Sequence, residues 1–151
     1  MKAVIQRVAR AAVTVNGGAR RAIGPGLAVL LGVSDTDTLA VCPKLAEKMA
    51  GLRIFEDAAG KLNLSALEKG YEALVVSNFT LYGDTKKGKR PSFIRAAKPP
   101  LSVQAYEEFV RCLRATGLKR VETGEFGAEM QLELVNDGPV TIVIETDDWA
   151  R

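Results

Sequence analysis

The chain of 151 residues contains no histidine. That absence excludes Ser-His-Asp and Cys-His nucleophilic catalysis, imidazole general bases and His-ligated metals. Cysteine is scarce as well. Cys42 and Cys112 lie far apart and form no CxxC pair. They read as buried apolar residues of a reducing compartment, with a single disulfide as the alternative. Their spacing cannot supply a zinc site, and no metal or cofactor is expected. Long hydrophobic runs are missing too. The longest, LAVLLGV at residues 27–33, is far short of the ~20 residues a membrane-spanning helix needs. Arg7 and Arg10 interrupt the opening residues, which lack the apolar core of a secretory signal. The expectation is a cytoplasmic protein with no membrane segment. Charge of one sign is not in great excess, at +3 net, which alone is too small to establish nucleic-acid binding.

What is present suits a globular fold. Hydrophobic residues make up 47% and charged residues 26%, an ordinary soluble balance. The length suits one domain, residues 1–151, burying roughly 70% of the surface its unfolded form exposes. The first fifteen residues alternate as a strand does, and Asn16-Gly17-Gly18 marks a turn into a second strand. Gly24-Pro25-Gly26 is another turn. It leads into the run at residues 27–33, which suits a strand buried on both faces. Cys42, Leu45, Met49 and Leu52 fall at helical spacing, with Pro43 near the start of that helix. Residues 52–55 and 71–81 read as strands, and residues 83–100 as a long loop. Ser102 suits an N-cap for a second helix whose apolar stripe is Val103, Tyr106, Phe109, Val110 and Leu113. Glu107 and Arg111 form an i,i+4 pair on its wet face, and Gly117 is a natural stop. The end reads as two strands, residues 130–135 and 140–145, separated by Asn136-Asp137-Gly138-Pro139. The fold class is α+β: a mostly antiparallel, barrel-like sheet with two main helices packed outside.

Three segments carry candidate chemistry. Ser77-Asn78-Phe79-Thr80 ends an apolar strand, where a rigid element aims polar groups at a cleft. The hydroxyls suit nucleophiles or orienting donors, and successive N–H groups there suit an oxyanion hole; a simple turn at a strand end accounts for the same residues. Lys86, Lys87, Lys89 and Arg90 place four cations within five positions, with Phe93 following. This suits phosphate contacts and base stacking, and equally a solvated basic loop. Asp137-Gly138 is an ordinary hairpin signal. Pro139 directly after it removes a backbone donor where a sheet should resume.

Several ordered segments together resemble the D-aminoacyl-tRNA deacylase family. They are AVIQRV at residues 3–8, LRIFED at 52–57, LVVSNFTLY at 74–82, KRPSF at 89–93, GEFGAEM at 124–130 and NDGPVT at 136–141. The resemblance runs essentially end to end. It implies a homodimer of barrel-like subunits that hydrolyses the ester of D-aminoacyl-tRNA. It maps a Ser-Gln-Phe-Thr signature onto Ser77, Asn78, Phe79 and Thr80, with Asn78 one methylene shorter than the family's glutamine. It maps a Gly-cis-Pro signature onto Gly138 and Pro139, reaching into the partner subunit's active site, with Arg7 holding that segment in place. It places Phe126 and Met130 along the pocket of the terminal adenosine. Lys86, Lys87, Lys89 and Arg90 would then meet phosphates near the 3′ end of the aminoacylated tRNA.

The implied chemistry has the 2′-hydroxyl of the tRNA terminus assisting, backbone N–H groups at Phe79 or Thr80 stabilising the oxyanion, and L side chains rejected by the Gly-Pro segment. Glycine has no side chain to reject, so glycyl-tRNA is an expected substrate. Two other classes remain in view: an RNA-binding module without catalysis, and a hydrolase using the Ser77 or Thr80 hydroxyl as nucleophile. The second lacks a visible general base.

Overall fold

The computed structural model describes residues 1–150. One long strand organises it. β1 (Lys2–Val15) pairs along its whole length with β8 (Met130–Glu145). On the other edge, β3 (Gly26–Gly32) pairs with the first half of β1 and β2 (Arg20–Ile23) with the second. β6 (Glu72–Ser77) continues the sheet from β3, and β7 (Arg120–Thr123) from β6. The order is β2-β1-β3-β6-β7 with β8 also on β1. The three pairings of β1 are antiparallel, whereas β3–β6 and β6–β7 are parallel. The sheet is therefore mixed and curls toward a barrel. β4 (Phe55–Glu56) and β5 (Leu62–Leu64) form a small separate ribbon, followed by a single turn of helix, α2 (Ala66–Lys69).

The run at residues 27–33 explains itself here. Leu27, Val29 and Leu31 face one core, and Ala28 the other. The first core lies between the sheet and two helices, α1 (Cys42–Ala50) and α3 (Leu101–Ala115), through Leu45, Met49, Phe109 and Leu113. The second lies between Leu74 and Val76 of β6 and the first half of β8, through Leu132 and Leu134. Phe109 is fully buried, so truncation to alanine removes about 3–5 kcal/mol of stability.

Some expectations need correction. β8 does not reverse at residues 136–139. Both of its halves run antiparallel to β1, with register shifts at Val8, so the Gly-Pro segment is an interruption within one strand. Ser102 is not the N-cap of α3. Pro100 holds that place without a side-chain cap, and the Ser102 N–H donates to the Lys98 carbonyl at 3.2 Å. Arg111 pairs with Glu108, three residues before it, at 2.6 Å rather than with Glu107. The 52–55 stretch contributes only Phe55 to a strand. The strand before the signature ends at Ser77, and a 3₁₀ turn, Phe79–Tyr82, follows. Both cysteines are buried and unpaired. Among the described residues no helix is long and apolar enough to cross a membrane.

Candidate active site

β6 delivers Ser77 to the edge of a cavity, and the chain then tightens into the 3₁₀ turn. Two features hold that turn. The Asn78 N–H donates to the Leu31 carbonyl on β3 at 2.8 Å, extending the parallel ladder by one bond. The Asn78 Oδ1 accepts from the Thr80 N–H at 3.2 Å and from the Thr80 hydroxyl at 2.5 Å. Asn78 thus caps the turn, a role suited to a short amide side chain. β3 must give way for this. A Cβ on Gly32 would stand 3.1 Å from the Asn78 carbonyl and 3.2 Å from the Tyr82 ring. The first amide of the turn, at Phe79, has no acceptor inside it.

The cavity has a volume of about 230 Å³. Ser77, Asn78 and Phe79 form one side of it. Phe126 and Met130 also line it, and Ser102 and Tyr106 come from α3. Met130 packs closely against Gly124, where a Cβ would overlap its Sδ. Phe126 tilts onto Tyr106 with ring centroids 5.8 Å apart. The walls are thus mostly apolar with few polar groups, the usual composition of a small-molecule pocket. Phe79 is 56% exposed and stands edge-on to Phe93 at 5.1 Å. That contact ties the 83–100 loop to the site. Asp84 and Ser92 exchange two backbone bonds across the same loop, at 2.8 and 2.9 Å. Lys86, Lys87, Lys89 and Arg90 are all exposed on it.

Burial pushes the Tyr106 phenol up to about 12, and its hydroxyl donates to the Val75 carbonyl at 2.9 Å. Burial likewise pushes the Cys42 thiol up to about 11. The Thr80 hydroxyl is bonded to an amide oxygen, which is not a base. Among the described residues, no three His, Cys, Asp or Glu side chains gather as metal ligands.

The Gly-Pro segment lies elsewhere. The Gly138–Pro139 peptide is cis, as is Pro99–Pro100. Arg7 is only 7% exposed. Its Nε donates to the Asp137 carbonyl at 2.9 Å, and its Nη1 to the Ile54 carbonyl at 2.9 Å. The Asn136 side chain closes the segment from both directions. Its Nδ2 donates to the Val140 carbonyl, and its Oδ1 accepts from the Val140 N–H, each at 3.0 Å. Gly138 has φ +138°, and a Cβ there would stand 2.8 Å from Val140 Cγ2 and 3.2 Å from Arg7 Nη2. Gly138 and Pro139 are both exposed.

These two constellations do not meet within one chain. Ser77 pairs with Leu31, Leu31 with Ala3, and Ala3 with Ile144. Gly138 falls between Asn136, opposite Val8, and Thr141, opposite Gln6. Along the sheet they are three strands and several residues apart, roughly 14 Å across and more than 10 Å lengthwise. The structure therefore brings Ser77, Asn78, Phe79, Phe126 and Met130 to one cavity. Thr80 sits beside it without lining it, the cations lie on the adjoining loop, and Arg7, Gly138 and Pro139 form a separate cluster. Sequence reasoning missed Ser102 and Tyr106 as cavity walls and Asn136 as a clasp. The helical stripe signalled Tyr106 only as core, and the capping preference of serine masked Ser102.

Known proteins provide a close comparison. The family model described as D-Tyr-tRNA(Tyr) deacylase matches residues 4–145. The D-aminoacyl-tRNA deacylase of Symbiobacterium thermophilum is 56% identical over 147 residues, covering 97% of each chain. That of a Geobacillus species is 51% identical over 150 residues, covering 99% of this chain and 98% of the relative. Among solved structures, a c-Myc DNA unwinding element binding protein superposes with a TM-score of 0.90 at 45% identity, covering 97% of this chain and 99% of the other. A probable eukaryotic D-amino acid tRNA deacylase shares the fold, with a TM-score of 0.83 at 18% identity over 95% of this chain and 97% of its own.

Proposed function

The chain belongs to the D-Tyr-tRNA(Tyr) deacylase family, and we propose from that premise how this hydrolase of the D-aminoacyl-tRNA ester holds, selects and cleaves its substrate. The apolar cavity takes the terminal adenosine between Phe126 and Met130. The ribose then lies at the mouth, and the ester carbonyl reaches the Phe79 N–H. The observation that carries this reading is the division of labour in the 3₁₀ turn. Asn78 occupies the Thr80 N–H, while the Phe79 N–H is left to stabilise an oxyanion. Ser77 at the strand end orients the same group.

No side chain at the cavity supplies a base. The 2′-hydroxyl of the terminal ribose assists the attack of water instead, and the Thr80 hydroxyl is not the nucleophile. The protein's contribution is placement and a preformed donor, effects that need no proton exchange.

Selection against L side chains comes from Gly138-Pro139 of a second copy. Its own chain holds that segment three strands away from the cavity, exposed and braced by Arg7 and Asn136. A backbone wall of this kind accepts the α-amino group on its carbonyl oxygens and excludes a side chain of L configuration by clash. The working unit is thus a homodimer with each site completed across the interface. The four loop cations meet phosphates near the acceptor end, beside the Phe79–Phe93 pair. A soluble cytoplasmic setting suits this substrate.

Deacylation of D-Tyr-tRNA beside L-Tyr-tRNA, at catalytic protein concentration, tests the reading. Rapid loss of the D ester with the L ester spared is expected. Loss of both esters contradicts the selection role, and binding of tRNA with loss of neither contradicts catalysis by this site.

A further inference from the structure

Within the cavity, one polar atom is left unanswered by the protein. Ser102 is 5% exposed, and its Oγ is the one buried side-chain oxygen or nitrogen among the described residues without a hydrogen-bond partner. It lines the cavity from the first turn of α3. Leu31, Val33, Phe126 and Met130 are apolar, and the nearby Tyr106 hydroxyl is committed to the Val75 carbonyl. A hydroxyl buried without a partner is unfavourable, and such orphans in native proteins call for an explanation. Ser102 is the second residue of α3, past the N-cap Pro100, so capping the helix does not account for its hydroxyl.

We propose that the Ser102 hydroxyl hydrogen-bonds the polar edge of the six-membered ring of the terminal adenine, making Ser102 a specificity-determining residue. The inference rests on the placement of the terminal adenosine in this cavity. The ribose is attached at N9, on the five-membered ring. With the ester held at the Phe79 amide, the five-membered ring is nearest the mouth and the six-membered ring enters deepest, toward α3. That ring presents N1 as acceptor and the exocyclic amine as donor. A serine hydroxyl can answer either, since it donates once and accepts twice. Apolar faces above and below the ring, with one polar contact at its edge, give orientation as well as affinity.

Two nucleosides used as competitive inhibitors test this. Adenosine carries the full edge. Benzimidazole riboside keeps the bicyclic shape but lacks N1, N3 and the amine. For Ser102→Ala, the inhibition constant of adenosine should rise about three- to tenfold, the range of one neutral hydrogen bond. That of benzimidazole riboside should stay within twofold, which also shows the cavity intact. An unchanged adenosine constant overturns the proposal. Equal weakening of both probes also overturns it, because altered packing then accounts for the effect. Phe126→Ala separates the underlying reading: if it leaves adenosine inhibition unchanged, the nucleoside binds elsewhere and the cavity assignment itself fails.

Discussion

The Nε of Arg7 donates to the main-chain carbonyl of Asp137 at 2.9 Å, across a gap of 130 residues in sequence. This buried guanidinium also holds the Ile54 carbonyl, through Nη1 at 2.9 Å. One side chain thus ties the Gly138 segment to the ribbon region through a rigid fork. Lysine cannot reproduce that geometry, because its single ammonium reaches one direction at a time. Arg7→Lys is expected to lose about 1–3 kcal/mol of stability by leaving a carbonyl unpaired. It should also narrow the ratio of D- to L-Tyr-tRNA deacylation more than it slows the D reaction. Thermal unfolding and the two deacylation rates check both parts. A normal ratio in a destabilised variant would reduce Arg7 to a purely structural brace.

Asn136 acts on the same segment from the other side. Its two 3.0 Å bonds to the Val140 backbone close the interruption in β8. Asn136→Ala leaves both Val140 groups to solvent and frees the turn. The expected result is at least a fivefold loss of D-over-L discrimination, about 1 kcal/mol of differential positioning. Full discrimination in Asn136→Ala would place the rigidity of the segment elsewhere.

Thr80 gives the opposite expectation. Its hydroxyl bonds to the Asn78 amide oxygen, and its N–H keeps the cap when the hydroxyl is removed. Thr80→Ala should retain turnover within about threefold, a loss no greater than one weak hydrogen bond. A tRNA ending in 2′-deoxyadenosine should lose most of its turnover. A dead Thr80→Ala enzyme that still cleaves the deoxy substrate would reinstate a hydroxyl nucleophile.

The loop cations are expected to act on affinity. Replacing Lys86, Lys87, Lys89 and Arg90 together with alanine should weaken binding of D-aminoacyl-tRNA. It should also flatten the slope of log affinity against log salt by up to about 3–4, at roughly 0.7–0.9 for each phosphate no longer neutralised. Hydrolysis of a single-nucleotide D-aminoacyl-adenosine should not change. An unaltered salt slope with whole tRNA would remove these residues from the interface.

Glycine tests the shape argument. A wall that works by clash has nothing to strike on a glycyl ester, so glycyl-tRNA should be cleaved well above its rate in buffer. Turnover at the buffer rate would mean that selection depends on positive recognition of a D side chain.

The sequence made the framework readable where its signals were local. Alternation in residues 2–15 and the apolar run at 27–33 mark the spine and its most buried neighbour, and the spacing of Leu45 and Met49 or of Phe109 and Leu113 marks the helices. It misled where two structures share one signal. Asp137-Gly138 between alternating stretches is compatible with a reversal or with a bulge, and only the length of β1 decides, because it pairs with both halves of β8. Ser102 before a helical stripe looks like a cap, but Pro100 already occupies that place. The grouping of Phe126 and Met130 with Ser77 and Phe79 depends on the first half of β8 packing across the second core from β6, a long-range closure that no local pattern encodes. The resemblance, not periodicity, pointed to those residues.

In the proposed arrangement each active site is built from two chains. A heterodimer purified through two different tags tests this. One chain carries Phe126→Glu, which blocks its cavity, with Gly138-Pro139 intact. The other keeps its cavity and carries Pro139→Ala. One working site that cleaves D-Tyr-tRNA and spares L-Tyr-tRNA is expected, because the intact cavity receives the intact segment of its partner. Cleavage of both esters by this heterodimer, as expected of the Pro139→Ala homodimer, would show that each chain completes its own site and would rule out a shared one.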